Sequence, residues 1–213
     1  PDFLGYTDVM GMAKDHRTVI ESGLQIKKAG NRIIQVLGGR EVHPINVCLG
    51  GFYRLPEPAA MQELGVQLRN VKQKAWDLLA WVSNFHYPDV YVDYQYVSLV
   101  HDKEYPMNEG QIHSTKGIRI NVDEFERYFI EEHVKHSTAL YAKTRSGEAY
   151  LTGPMARFAL NHNNLSPESK MAMRDFNLDN SIHNPFRSIQ IRCLEVLYSI
   201  DEAIRIIDEY IPA

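Results

Sequence analysis

Residues 58–85 read PAAMQELGVQLRNVKQKAWDLLAWVSNF, and this stretch decides the fold class. Leu64, Leu68, Val71, Ala75, Leu78, Val82 and Phe85 alternate spacings of four and three, which gathers them on one side of an α-helix. Glu63, Gln67, Asn70, Lys74 and Asp77 turn outward. The seam has coiled-coil character but lasts only about three heptads, so it predicts packing within a helical bundle.

Working upstream, Asp15 is placed to cap a helix beginning near His16, with Val19, Ile20, Leu24, Ala29, Ile33, Val36 and Leu37 as its apolar stripe. Gly38-Gly39 ends it, because glycine accepts the left-handed conformation of a helix C-terminus. A shorter helix over residues 7–14 precedes it. Pro44, Gly50-Gly51, Pro56 and Pro58 make residues 40–58 an irregular connection. Loops of that length in compact domains are usually functional or interface-forming.

Downstream, the period switches to two across residues 90–100, where Val90, Val92, Tyr94 and Tyr96 share a face opposite Asp93 and Gln95. Turns at 108–110 and 116–117 bracket short strands over 111–114 and 117–120, which predicts a small antiparallel sheet. Asn121 is placed to cap a helix over 122–134, with Asp123 and Glu124 in its first turn. Two more short strands are expected over 140–144 and 149–151. Helices return over 154–161, 167–175 and 185–210, the last started by Asn184-Pro185, since proline is tolerated in a first helical turn. Its expected buried stripe is Ile189, Cys193, Val196, Leu197, Ile200, Ala203, Ile204 and Ile207, with Asp201 and Arg205 as an i,i+4 pair. The expected fold is α+β and mainly helical: long packed helices carrying a small antiparallel sheet insertion.

The chain has 213 residues, 44% hydrophobic and 23% charged, with a net charge of −4 whose signs are scattered. That balance favours neither nucleic acid nor an anionic membrane. No apolar run approaches the roughly 20 residues that span a bilayer, and no signal segment opens the sequence, so the cytoplasm is the expected location. Cys48 and Cys193 form no Cys-x-x-Cys pair and read as buried small hydrophobes rather than a disulfide framework or thiolate site.

Spacing alone yields no catalytic site. His133 and His136, on the expected helix, could share a face as two metal ligands, but a catalytic zinc needs a third. Histidines near a helix C-terminus are also favoured by the dipole without any metal. Gly38-Gly39 follows a helix, whereas a dinucleotide loop follows a strand. The acidic run from Asp123 to Glu132 is most simply a solvated helix face.

Three ordered stretches nevertheless carry a resemblance. The chain opens with Pro1-Asp2-Phe3-Leu4-Gly5 and Val9-Met10-Gly11-Met12-Ala13. The second stretch is Gly38-Gly39-Arg40-Glu41-Val42-His43-Pro44, closing with Gly50-Gly51-Phe52-Tyr53. The third is Tyr150-Leu151-Thr152-Gly153-Pro154-Met155-Ala156-Arg157-Phe158, continued by Leu165-Ser166-Pro167 and Asn184-Pro185-Phe186, with His136-Ser137-Thr138-Ala139 between. In this order, and over nearly the whole chain, the sequence resembles the large, nickel-bearing alpha subunit of nickel–iron hydrogenases. The branch it resembles is the soluble, cofactor-coupled, bidirectional type, which passes electrons to NAD(P) or a deazaflavin through partner subunits.

The resemblance implies a hydrogenase large-subunit-like fold with residues 1–213 as a single domain, its helical core at 1–86 and 153–213 and a β-containing insertion at about 90–151. It implies an intact oxidoreductase that interconverts H₂ with protons and electrons. Its nickel–iron centre is held by two Cys-x-x-Cys pairs near the ends of the full subunit. Neither pair is present in this sequence, and soft thiolates are what such a centre requires. The expectation is therefore an excised central scaffold with no cofactor of its own, inactive alone and prone to self-association through uncovered apolar surface. The alternative is a metal-free structural or interaction paralogue within a redox complex.

By resemblance, Arg40, His43 and Pro44 lie toward the iron–sulfur small subunit, where His43 could support the nearest cluster's surroundings or simply fix its loop. Further partners would be diaphorase-type or deazaflavin-linked electron-transfer subunits. Gly38, Gly39, Gly153, Pro154 and Arg157 are structural support, with Arg157 anchoring a carboxylate or carbonyl. Asn161-His162-Asn163-Asn164 departs from the tyrosine- or phenylalanine-containing stretch of the family, which leaves the subgroup open.

Overall fold

The helical seam of residues 58–85 becomes the longest helix of a computed structural model that describes residues 2–211. In chain order the elements are α1 (Val9–Asp15), α2 (Arg17–Gly38), β1 (Val47–Cys48), β2 (Gly51–Phe52), α3 (Pro58–Ser83), β3 (Val97–Val100), β4 (Gln111–Ser114) and β5 (Arg119–Ile120). Then follow α4 (Phe125–Tyr128), β6 (Phe129–His133), β7 (Leu140–Thr144), α5 (Pro154–Asn161), α6 (Pro167–Asp175) and α7 (Ser188–Asp208). The fold is α+β and mainly helical. Its sheets are small and antiparallel, ordered β1-β2, β3-β4-β5 and β6-β7. The chain divides into two compact units, residues 1–84 with 196–213, and residues 85–195. Among the described residues, no helix is long and apolar enough to cross a membrane.

In the first unit, α3 buries Met61, Leu64, Gly65, Leu68, Val71, Ala75, Leu79 and Val82. The seam passes through Leu79 rather than Leu78, because a straight helix of 3.6 residues per turn drifts off a heptad over this length. The helix stops at Ser83, which takes Phe85 out of the seam. α2 packs along α3. Asp15 does not cap α2. It closes α1 instead, and its carboxylate accepts the Tyr6 hydroxyl at 2.8 Å. The cap expected there belongs to Asp8, which accepts from the Gly11 amide at 2.7 Å. His16 breaks α1 from α2 and sets its ring edge-on to Tyr6 and Trp81.

Asp201 does not pair with Arg205. It lies 2.6 Å from the Lys72 amine, while Arg205 bonds Glu202 and Glu209 one turn to either side. A side chain as buried as Asp201 (9% exposed) needs a partner reaching it from across the packing face, and α3 supplies one.

The second unit centres on Val97, Ile112, Ile120 and Phe129, with Leu99, Ile118, Phe125 and Tyr150 packed against them. Its largest departure from expectation lies at residues 122–134. After a short 3-10 turn and the single turn of α4, the chain becomes β6, paired with β7 from Phe129 opposite Thr144 to His133 opposite Leu140. Glu124 accepts the Asn121 amide at 3.1 Å, so the helix start is real but stops after two turns. Phe129 decides this. Its ring stacks on Phe125 at 4.8 Å and meets Tyr150 edge-on, contacts that outweigh the local helical preference of the acidic run.

Residues 90–96 do not form a strand either. Tyr96 makes one parallel bridge to Leu151, its amide donates to Thr115 Oγ1, and its phenol donates to the Ile182 carbonyl. The strand expected at 149–151 reduces to that same bridge, and the one expected at 117–120 shortens to β5.

α7 starts at Ser188, because residues 185–187 form a 3-10 turn whose Phe186 amide donates to Asn184 Oδ1. Within residues 188–195 it buries Gln190, Ile191, Cys193, Leu194 and Glu195. From residue 196 it buries Leu197, Tyr198 and Ile200. Ile189 and Val196, assigned to its stripe from sequence, face outward. The face is rotated toward Gln190 and Glu195, two polar residues that an apolar count passes over.

Candidate functional site

In the first unit, the Gly38–Pro44 motif folds as a tight exit from α2. Gly39 adopts φ +83°, and its amide donates to the Gln35 carbonyl at 2.9 Å, the left-handed helix stop its sequence predicts. Gly38 is buried against Pro44: a Cβ there would lie 2.7 Å from the proline Cβ. The Gly38 carbonyl accepts the amides of Ile45 and Asn46 at 2.9 and 3.0 Å, which turns the chain back on itself. Arg40 Nε donates to the His43 carbonyl, and His43 holds φ +51°, a left-handed value uncommon for a non-glycine residue. The imidazole of His43 and the side chains of Arg40 and Pro44 are exposed.

Asn46 then organises the segment that follows. Its side chain donates to the carbonyls of Leu37 and Arg54, both at 2.8 Å, and accepts the Arg54 amide at 3.0 Å. The result is a stiff hairpin rather than an irregular loop, with β1 and β2 at its tip. Ile45, Val47, Leu49, Phe52, Tyr53 and Leu55 are all exposed on it. A recess of about 720 Å³ at its root is lined by Arg32, Val36, Ile45, Tyr53, Arg54 and Glu57, among others. Cys48, expected to be buried, is only half-buried in this hairpin.

In the second unit, Gly153 at φ +92° turns the chain into α5, and its carbonyl accepts the Arg157 amide at 2.9 Å. Pro154 occupies the first turn. One turn on, Arg157 grips Glu195 of α7 in a fork: Nε to Oε1 at 2.8 Å and an Nη to Oε2 at 2.7 Å. The Tyr105 hydroxyl donates to the same Oε1 at 2.8 Å. The hydrogen bonds from Glu195 raise the Arg157 pKa above its ordinary value, so the guanidinium is a fixed charge. Two asparagines complete the arrangement. Asn161 donates to the Leu99 and Arg157 carbonyls at 2.9 and 3.0 Å, and Asn164 to the His101 and Glu104 carbonyls at 2.8 and 3.0 Å. Arg157 also lines a shallow cleft of about 240 Å³ with Val97, Leu99, Met107, Phe125 and Tyr150.

Sequence reasoning missed Glu195, Tyr105, Asn161 and Asn164. A buried carboxylate interrupts an apolar stripe and so lowers the very signal used to find buried positions. The unusual asparagine density at 161–164 was the one visible clue.

The chemistry of metal ligation is poorly served by these residues. Among the described residues no group of three or more His, Cys, Asp and Glu converges. His133 ends a strand rather than a helix, and His136 follows in a turn with its ring edge against Tyr141, so the shared helical face expected for them does not exist. Burial pushes the Cys193 thiol up to about 11, which disfavours the thiolate a nickel–iron centre needs. Cys48 belongs to one unit and Cys193 to the other. The residues present do not fit such a centre.

No family model matches the chain. It is 26% identical over 213 residues to sulfhydrogenase 1 subunit alpha of Pyrococcus furiosus, covering 98% of this chain and 49% of that protein. It is 41% identical over 64 residues to sulfhydrogenase 2 subunit alpha of the same organism, covering 30% of this chain and 16% of that one. It is 26% identical over 184 residues to the coenzyme F420 hydrogenase subunit alpha of Methanocaldococcus jannaschii, covering 83% and 42% respectively. The chain thus spans about half the length, or less, of the curated relatives it matches. In three dimensions it resembles a chain of an NAD⁺-reducing [NiFe]-hydrogenase in the H₂-reduced state, with a TM-score of 0.79 at 14% identity over 95% of this chain and 51% of that one. Its homologues are hydrogenase alpha subunits, and its fold is that of a hydrogenase large subunit.

Proposed function

We propose that this chain is the central scaffold of a nickel–iron hydrogenase large subunit, and that the whole protein interconverts H₂ with protons and electrons in the cytoplasm. The observation that carries the reading is the match along 98% of this chain to about half of a sulfhydrogenase alpha subunit. The fold supports it, since the helices superpose on a hydrogenase chain despite low identity. Nickel and iron would supply the chemistry when bound, with the protein holding and insulating them. The ligand geometry above gives these 213 residues no means to hold that centre, so the chain is assigned a supporting role and no turnover of its own.

Within that role, Arg157 and Glu195 clamp α5 to α7 and the Tyr105 loop, fixing the second unit's helices in one register. Arg40, His43 and Pro44 form the exposed exit of α2, and we assign this turn to the electron-transfer partners: an iron–sulfur small subunit and the NAD(P)- or deazaflavin-linked subunits behind it.

Expression of the complete open reading frame with its neighbouring genes tests the assignment. The expected product carries about one nickel per large subunit and reduces a viologen dye under H₂, whereas the 213-residue chain does neither. Stoichiometric nickel in the 213-residue chain, or H₂ uptake by it unaided, overturns the reading. So does a complete reading frame without Cys-x-x-Cys pairs, which would instead make the protein a metal-free interaction subunit.

A further inference from the structure

The hairpin that follows the Gly38–Pro44 turn is the most apolar surface of the first unit, and it is rigid. Ile45, Val47, Leu49, Phe52, Tyr53 and Leu55 all project from it, with Leu49 at 106% and Tyr53 at 73% of full exposure. Asn46 braces its base with three hydrogen bonds, and the Tyr53 amide closes it onto the Asn46 carbonyl at 2.9 Å. The apolar side chains are therefore held out in water by the fold, with no freedom to collapse inward.

We infer that two copies of this chain pair through this hairpin, each seating its Leu49 tip in the recess at the base of the other. Area supports the pairing. Weighted by their exposures, the six side chains present roughly 700–800 Å², about what one partner contributes to a standard-size interface. It also exceeds the roughly 300–600 Å² largest patch of a typical monomer. Shape supports it as well. One element carries both a projection and, at its root, a recess of about 720 Å³ walled by Val36, Ile45, Tyr53 and Leu55. A surface that offers both halves of a contact closes on itself under a two-fold axis. Arg54 and Glu57 on the lining of that recess place one charge of each sign there, so a two-fold sets opposite charges facing across the interface. This inference rests on the hairpin alone and holds whether or not the hydrogenase assignment does.

Sedimentation velocity over a concentration series of the 213-residue chain tests it. A discrete dimer is expected at micromolar concentrations. Leu49→Asp and Phe52→Ser should each weaken it at least tenfold while leaving the thermal unfolding midpoint unchanged, since both side chains are exposed in the single chain. Met10→Asp, at an exposed apolar position away from the hairpin, should leave the dimer intact. A monomer at every concentration overturns the proposal, and that is also the result expected if the hairpin receives only a different protein. Open-ended oligomers overturn it as well, as does a dimer that survives both hairpin substitutions.

Discussion

Replacing Arg157 by methionine removes both arms of the fork from Glu195, a carboxylate whose side chain is only 10% exposed. What remains is one hydrogen bond from Tyr105 to a charge that has lost its counterion. Breaking a buried pair from one side typically costs about 3–5 kcal/mol, and the 27% exposure of Arg157 argues for the lower end, about 3 kcal/mol. For a chain of this length that corresponds to a fall in Tm of about 6–12 °C. The companion variant, Arg157→Met with Glu195→Leu, removes both charges together and should recover most of the loss, ending within about 1–2 kcal/mol of the parent. Tyr105→Phe should cost about 1.5–2 kcal/mol, the worth of a hydrogen bond to a charged acceptor. Urea unfolding of the four variants gives the double-mutant cycle directly. If Arg157→Met costs under 1 kcal/mol, or if the two single substitutions simply add, the fork does not clamp α5 to α7.

Three further outcomes follow from the described geometry. Gly38→Ala puts a methyl group 2.7 Å from the Pro44 Cβ, so the turn must open; amide exchange across residues 39–46 should accelerate at least tenfold. Asp201→Asn should destabilise the chain by about 2–3 kcal/mol by leaving Lys72 without its counterion, whereas Arg205→Ala, which touches only exposed partners, should change stability by under about 1 kcal/mol in the same urea titration. Cys193 sets an alkaline limit: its folded pKa of about 11 lies above the ordinary value of 9.0, so the native state holds its proton more tightly than the unfolded chain. The associated stability is complete below about pH 9 and is lost as pH rises toward 11, by about 2–3 kcal/mol. Cys193→Ala should flatten the pH dependence of stability in that window, and an unchanged slope there would show that the thiol is solvated.

The sequence announced most of the helices and few of the contacts. α5, α6, β4 and β7 have the expected bounds, and α3 begins where expected, because proline, glycine and apolar spacing act locally. The failures share one cause. β6 was hidden because Glu131, Glu132 and His133 look helical in isolation, and only Phe129's stacking on Phe125 and Tyr150 turns the segment into a strand. The buried face of α7 was misplaced because its alignment is set by Glu195 meeting Arg157, residues 38 positions apart. At the candidate site, the turn at Gly38-Gly39 was legible from glycine alone. The bracing of the hairpin by Asn46 was not, since an asparagine in a loop carries no mark of which carbonyls it will reach.

Asn161 and Asn164 between them hold the carbonyls of Leu99, His101 and Glu104, so the path of the chain leaving β3 is written into the end of α5 and the turn after it. An aromatic residue at either position has no amide to offer those oxygens. Any relative with tyrosine or phenylalanine there must route the segment after its third strand differently, and transplanting one segment without the other strands buried carbonyls. Positions 161 and 164 and residues 99–104 should therefore be exchanged between homologues only as a matched set.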